Sequence, residues 1–501
     1  MERSSGILLN VTSLPGPHGV GDLGPAAYGW IDQLARAKQQ WWQILPLGPT
    51  GYADSPYQCF SAFAGNANFI SLERLVDDGL LLKSELPTAD FPVDTADFDR
   101  ARPLKLAATE RAYRRFKTNT GEGKQFEAFC RDEATWLNDF ALFTALKEKH
   151  DGSAWWDWPR EHRIYDSRVA EKLDHDLADE VELCKFRQFL FFRQWHQIRD
   201  YAHRRGIRMI GDMPIFISSD SADVWSQPDL FQLDRERRPT FVAGVPPDYF
   251  SETGQLWGNP LYAWEKHRET GYSWWIDRLQ STLQLVDLVR LDHFRGFEAN
   301  WAVPAGNKTA EKGSWEPGPN GELFDALKTA LGSLPLIAED LGVITPPVDA
   351  LRRSFGLPGM RILQFAFGGA QEERFIPHHY DHHTVVYTGT HDNETTAGWF
   401  RNLSQHEREF LNAYSPGAAA DPAWTLIRLA WASVADLAVS PLQDVLRLGN
   451  EARMNMPGTA DNNWRWRLDP SLLADDLLDR LAEMTKIYQR DAKEEAVTAT
   501  S

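Results

Sequence analysis

Asp287-Leu288-Val289-Arg290-Leu291-Asp292-His293-Phe294-Arg295-Gly296 joins a short apolar run to a cation on one face and an acid at its mouth. Runs of this length, bounded by polar or Gly-bearing segments, read as buried strands of a parallel sheet. Arg290 and Asp292 are two residues apart, so on a strand their side chains share a face. The pattern recurs along the chain. Ile207-Arg208-Met209-Ile210-Gly211 is followed by Asp212, and Leu336-Ile337-Ala338 ends at Glu339-Asp340-Leu341-Gly342. Thr384-Val385-Val386-Tyr387 leads to Thr388-Gly389-Thr390-His391-Asp392-Asn393. Similar runs at Gly6–Leu9, Trp41–Leu45, Arg361–Phe365 and Leu437–Pro441 bring the expected strands to eight.

Between these runs apolar residues recur at helical spacing. The expected helices are Ala26–Lys38, Lys185–Arg205, Tyr272–Leu285, Glu322–Leu331, Pro346–Ser354 and Trp424–Ala435. A terminal helix is expected from Leu472 to Tyr488, with a frayed Lys/Glu/Ala/Thr tail beyond it. Parallel neighbours need a crossover, usually a helix, so the alternation predicts an α/β chain folded as a TIM-type (β/α)8 barrel. A doubly wound open sheet is the competing arrangement. It would normally place a Gly-rich phosphate loop after an early strand, and the sequence has none. Residues 60–184, after the second strand, and 218–270, after the third, are too long for simple crossovers. They are expected to hold inserted, mainly helical subdomains, with a helical pattern at Phe126–Lys149. Residues 1–501 otherwise read as one decorated catalytic domain.

The chain has 501 residues, 43% of them hydrophobic, enough for a large core. A formal net charge of −18 argues against nucleic acid or an anionic membrane as partner, since both require basic patches. Cys59, Cys130 and Cys184 are few and far apart, and form neither a disulfide framework nor a Cys-x-x-Cys metal pair. The apolar stretch Gly6–Val11 is too short for a signal peptide and no run reaches membrane-spanning length, so a cytoplasmic protein is expected. Most of the 20 Trp belong to the core by default, while Trp257 and Trp464 lie in Gly/Pro/Asn-rich surroundings where an indole can serve as a stacking face.

In a barrel of this kind chemistry sits at the C-terminal ends of the strands. A single acid there can merely cap a helix or pair with an arginine. Four acids converging on one rim, two of them beside His, equip a cleft to break glycosidic bonds. Arg290 would hold Asp292 ionised, as a nucleophile requires. Desolvation and the neighbouring Asp340 would raise the pKa of Glu339, which suits a general acid. Asp392, between His391 and Asn393, could hold sugar hydroxyls and offset positive charge at the anomeric carbon.

At these segments the chain resembles the 4-α-glucanotransferases known as amylomaltases or disproportionating enzymes, glycoside hydrolase family 77. Further matching segments are Ile44–Tyr52, Asp54-Ser55-Pro56-Tyr57, Gly211–Phe216, Pro246–Phe250 and Gly254–Pro260. The resemblance extends from Gly6 to about Leu468. It implies a retaining double displacement on a barrel without a separate C-terminal β domain. By the same resemblance Asp292 is the nucleophile, Glu339 the acid and then base, and Asp392 the group that holds and strains the sugar. Asp212, Arg290 and His391 would contact the sugar at the cleavage point. Tyr249, Phe250, Gln255 and Trp257 would form a flexible loop over the acceptor side, with Gly254 as a hinge. Tyr52, Asp54, Ser55 and Tyr57 would touch the glucan elsewhere. The implied partners are α-1,4-glucans and maltooligosaccharides, with glucose as an acceptor. No cofactor or metal is expected.

Two other features carry less. His378-His379-Tyr380-Asp381-His382-His383 lacks a zinc-ligand spacing and precedes a strand, away from the chemical face, so a solvated turn is expected. Cys59 has no evident His partner for nucleophilic use and reads as a packing residue. The remaining alternatives are an amylase-like α-glucan hydrolase and a non-catalytic glucan-binding barrel. The full set of acids with Arg290 and His391 disfavours the latter.

Overall fold

The computed structural model describes residues 1–118, 123–247, 251–368 and 373–492. Its strands are β1 (Ser4–Leu8), β2 (Trp41–Gln43), β3 (Arg208–Pro214), β4 (Phe241–Val245), β5 (Gln255–Pro260) and β6 (Leu288–Asp292). They continue with β7 (Ala299–Pro304), β8 (Ser314–Pro317), β9 (Leu336–Ala338), β10 (Gly359–Ile362), β11 (Thr384–Tyr387) and β12 (Leu437–Pro441). Eight of them close a parallel barrel in the order β1-β12-β11-β10-β9-β6-β3-β2. This is the expected (β/α)8 architecture, and each expected strand has its counterpart.

The boundaries differ in ways that matter. β3 runs through Asp212 to Pro214, so that acid lies within the strand rather than after it. The expected strand Arg361–Phe365 is displaced. Pairing occupies Gly359–Ile362, and Leu363–Phe367 is already a helix. Close approach fixes this placement: Met360 N donates to Asp340 Oδ1 at 2.7 Å, and a Cβ on Gly359 would lie 2.3 Å from the Asp340 carboxylate. Only glycine allows that approach.

The helices form where apolar stripes meet capping residues. Pro25, Pro346 and Pro422 open their helices in the first turn, where a missing N–H costs nothing. Asp421 caps the last of these by accepting from Trp424 N at 3.4 Å. The stretch Phe126–Lys149 is two helices, Gly123–Asp132 and Ala134–Lys149, interrupted at Glu133. Between β2 and β3 the regular elements are all helical, ending in the long helix Ala178–Arg204. The last helix spans Asp475–Ile487, and residues 493–501 lie outside the described ones.

Strands β5, β4, β7 and β8 form a separate antiparallel sheet, which corrects the expectation that residues 218–270, where β4 and β5 lie, hold a mainly helical subdomain. Gln255 and Trp257 belong to β5, which corrects the expectation that they ride on a flexible loop. Gly254 precedes this strand at φ +69°, where a Cβ would meet Val245 O at 2.3 Å, so its freedom is spent in a tight closure. Tyr249 and Phe250 lie outside the described residues.

The tryptophans mostly fill the core: Trp42, Trp155, Trp195, Trp225, Trp275, Trp424 and Trp431 are fully buried. Removing such a side chain typically costs about 3–5 kcal/mol. Buried Arg490 stitches the barrel seam. Its guanidinium donates to the carbonyls of Ser4 at the start of β1, of Ala435 and Asp436 before β12, and of Ala430, Trp431 and Ser433 nearby.

Candidate active site

Register assembles one side of the cleft. Asp212 pairs with Arg290 across β3 and β6, and Pro214 pairs with Asp292. Register partners in a sheet share a face, so the acid and the cation meet without any loop. Arg290 Nη1 lies 2.8 Å from both Asp212 oxygens and 2.9 Å from Asp292 Oδ1. Tyr57 Oη donates to Asp212 Oδ2 at 2.9 Å. Asp212 has no exposed side-chain surface, whereas Asp292 is 29% exposed at the strand mouth. Burial raises the pKa of Asp212, opposed by the adjacent Arg290. Burial also works against the charge of Arg290, but Asp212 and Asp292 outweigh it and raise the Arg290 pKa.

Glu339 follows β9, which pairs with β6 through Leu291 and Ala338. One step further Glu339 N donates to Leu291 O at 3.1 Å, setting Glu339 beside Asp292. Its oxygens are held by main-chain donors, Oε2 by His293 N and Oε1 by Leu341 N, both at 2.8 Å. His293 takes a left-handed conformation, φ 51°, immediately after the strand, and Trp257 packs edge-on against its ring at 4.8 Å. Burial pushes the pKa of Glu339 up to about 8, with Asp292 adding to the rise while Arg290 and the two N–H donors oppose it. The expected like charge from Asp340 is corrected. Asp340 faces Met360 N, Arg352 and Arg361, and the acid acting on Glu339 is Asp292.

The opposite side is a loop. Asp392 lies beyond β11, and buried Asp444 secures the loop that carries it. Asp444 accepts from Thr388 Oγ1 at 2.6 Å and from Thr396 N and Oγ1 at 2.7 Å, tying both ends of the 388–396 segment. Asn393 Oδ1 closes the turn by accepting from Thr390 N at 2.8 Å. His391 is buried, stacked on Tyr57 at 5.2 Å and flanked by Trp464 at 5.9 Å. Asp392 is 42% exposed, its Oδ1 accepting from Asn455 Nδ2 at 2.6 Å.

The remaining predicted residues separate. Tyr57, Asp212, Arg290 and His391 adjoin the carboxylates, while Trp257 packs on His293 and is supported by Gln255, which accepts from its Nε1 at 3.2 Å. Tyr52 is 74% exposed. Asp54 is ion-paired with Arg102, and Ser55 Oγ accepts from Tyr57 N at 3.2 Å, so both shape the loop under Tyr57. His293, Asp444 and Asn455 were not singled out in the sequence. The only signal for any of them was the placement of His293 directly after Asp292.

Burial pushes the Cys59 thiol up to about 12, and it donates to Pro56 O at 3.0 Å. His383 Nε2 lies 2.7 Å from Gly356 O, and His378 Nδ1 lies 3.1 Å from Tyr414 Oη. Among the described residues, no group of three or more His, Cys, Asp or Glu side chains could hold a metal ion.

The sequence pattern of glycoside hydrolase family 77, described as 4-alpha-glucanotransferase, matches residues 9–473. The 4-alpha-glucanotransferase of Synechocystis is 49% identical over 497 residues, covering 98% of each chain. That of Thermus thermophilus is 49% identical over 500 residues, covering 98% of this chain and 99% of its own. Among solved structures, the amylomaltase of Streptococcus agalactiae in complex with acarbose superimposes with a TM-score of 0.95 at 38% identity, covering 98% of this chain and all of its own. This chain belongs to the 4-α-glucanotransferases of glycoside hydrolase family 77, enzymes of transglycosylation.

Proposed function

We propose that this chain cuts an α-1,4-glucan or maltooligosaccharide and passes the released segment to the 4-hydroxyl of another glucan or of glucose, by a retaining double displacement. The observation that carries the mechanism is the pairing of unlike carboxyls at the mouths of two adjacent strands, β6 and β9. Asp292 is bound to Arg290, while the Glu339 carboxyl holds its proton up to about pH 8. Environments that separate two acids in this way divide the work of acid and nucleophile.

In the first step an Asp292 oxygen bonds to the anomeric carbon, the glycosidic C–O bond breaks, and Glu339 delivers its proton to the leaving oxygen. In the second, Glu339 takes the proton of the acceptor hydroxyl, whose oxygen attacks the same carbon and releases Asp292. Asp392, with His391 beside it, holds the sugar hydroxyls and the strained ring, and Arg290 contacts the same sugar from the strand side. Tyr57 and the buried Asp212 support that subsite. Trp257, with Tyr249, Phe250 and Gln255, excludes water and seats the acceptor ring. Tyr52, Asp54 and Ser55 serve a more distant part of the glucan. Residues 60–184 and 218–270 act as subdomains that border the cleft of a single decorated barrel. No helix among the described residues is long and apolar enough to cross a membrane, and the glucans this chain works on are those of the cytoplasm.

Maltotriose, incubated without phosphate, tests this reading. Transfer gives free glucose together with a ladder of longer glucans, whereas shorter products alone would identify a hydrolase. Asp292→Asn should lower the rate of ladder formation by about 10⁴-fold. A ladder of undiminished rate would overturn the nucleophile assignment.

A further inference from the structure

After β12 the chain returns to the cleft at Arg453-Met454-Asn455 and binds the loop that carries Asp392. Asn455 Nδ2 donates to Asp392 Oδ1 at 2.6 Å, and Asn455 N donates to His391 O at 3.1 Å. Arg453 clasps the same pair: Nη2 donates to Asp392 O at 2.6 Å and Nε to Asn455 O at 2.7 Å. Between them Met454 is buried. Its carbonyl accepts from Trp464 N at 2.6 Å, and its sulfur accepts from Ser13 Oγ at 3.6 Å. Asn455 is thus fixed through its own backbone and that of the residue before it.

Asp392 is the opposite case, half open to solvent on a loop. The torsion that turns a carboxylate plane is soft, so exposure alone would leave its oxygens to exchange places. One strong hydrogen bond to one oxygen removes that freedom. Asp392 Oδ2, the oxygen not bound by Asn455, lies 3.4 Å from His391 Nε2.

We propose that Asn455 is a positioning residue for Asp392: its amide occupies Oδ1 and fixes the carboxylate plane so that Oδ2 is the oxygen presented to the sugar. This rests on the reading of Asp392 as the group that holds the strained sugar. An amide suits the task because it donates without bringing a charge. A cation there would partly neutralise the acid, and a second acid would compete for a proton. The charged and titratable groups already facing Asp392 are His391, Arg453 and Tyr57, with Glu394 beyond Arg453.

Three variants test it through kcat, KM and the pH profile of maltotriose disproportionation. Asn455→Leu should lower kcat about tenfold while KM changes less than about twofold, since misplacement of a group that acts in the transition state falls on kcat. Asn455→Asp keeps the shape of the side chain and so preserves the fold. It sets two carboxyls in contact, and should add an ionisation to the acid side of the kcat profile, between about pH 4 and 7. A merely structural role for Asn455 would lower the melting temperature and leave kcat and KM of the folded Asn455→Leu enzyme unaltered. If Asn455→Leu does not fold, the Asn455→Asp profile decides alone. A profile superimposable on that of the natural chain overturns the proposal. Asp392→Ala separates the two ideas. Full activity in that variant removes the reading of Asp392 itself, whereas loss there beside a silent Asn455→Asp removes only the role of Asn455.

Discussion

On one flank of the cleft, Asp212, Arg290 and Asp292 sit on neighbouring strands whose register alone brings them together. On the other flank Asp392 projects from a loop, held by Asp444 below and by Asn455 from a segment beyond the last strand. The first arrangement is buried, interlocked and paired charge to charge. The second is open, and its charge is met by an uncharged amide. Damage should therefore differ in kind: on the strand flank it should unsettle the protein itself, on the loop flank chiefly the chemistry.

Arg290→Met gives the strongest contrast. It leaves Asp212 buried beside Asp292 without the guanidinium, and loss of one partner of a buried pair costs about 3–5 kcal/mol. Urea denaturation should register that loss, together with a collapse in transfer. Unchanged stability would dissolve the distinction between the flanks. Tyr57 spans both, bonding Asp212 through its hydroxyl and His391 through its ring face. Tyr57→Phe keeps the stack and removes the bond, so it should cost about 1.5–3 kcal/mol, the usual worth of a hydrogen bond to a charged group. A comparable loss in a variant that keeps the hydroxyl but spoils the ring contact would place the coupling on the wrong side.

The flanks also differ in pH dependence, because the raised acid belongs to the strand flank. Glu339 must be protonated to release the leaving group, so the rate of the first half-reaction should fall about tenfold per unit as pH rises past about 8. The linked stability has the same sign. A carboxyl whose pKa rises from 4.5 to about 8 on folding contributes fully below 4.5 and loses that contribution as pH climbs to about 8. A rate that instead increased through this range would remove Glu339 from the acid role. The smallest effect belongs to Cys59. With the thiol raised to about 12, iodoacetamide at pH 8 should leave activity intact, and rapid inactivation traced to Cys59 would contradict its burial.

The strand flank was legible in the sequence and the loop flank only in part, for a physical reason. Short apolar runs ending in an acid announce both the barrel and the place of Asp212, Asp292 and Glu339, because period and register act between near neighbours. Asp392 was found by the same rule, but what holds it was not. Asn455 lies 63 residues away and Asp444 lies 56 residues from its partner Thr388, in segments with no pattern of their own. The antiparallel sheet was missed because Phe241–Val245 and Gln255–Pro260 are interrupted by Gly and Pro, which read as turns. For the same reason the sequence around Trp257 reads as a loop, whereas β5 holds it against His293.

The guanidinium of Arg490 grips carbonyls at both edges of the seam between β1 and β12. A ribosome delivers that arginine only after every strand of the barrel has been made. β1 and β12 pair through their own backbones, so the guanidinium adds a second fastening to a seam that the strands themselves close. The joint between the first and last strands of the cylinder is thus riveted from outside the sheet, by a side chain synthesised after both.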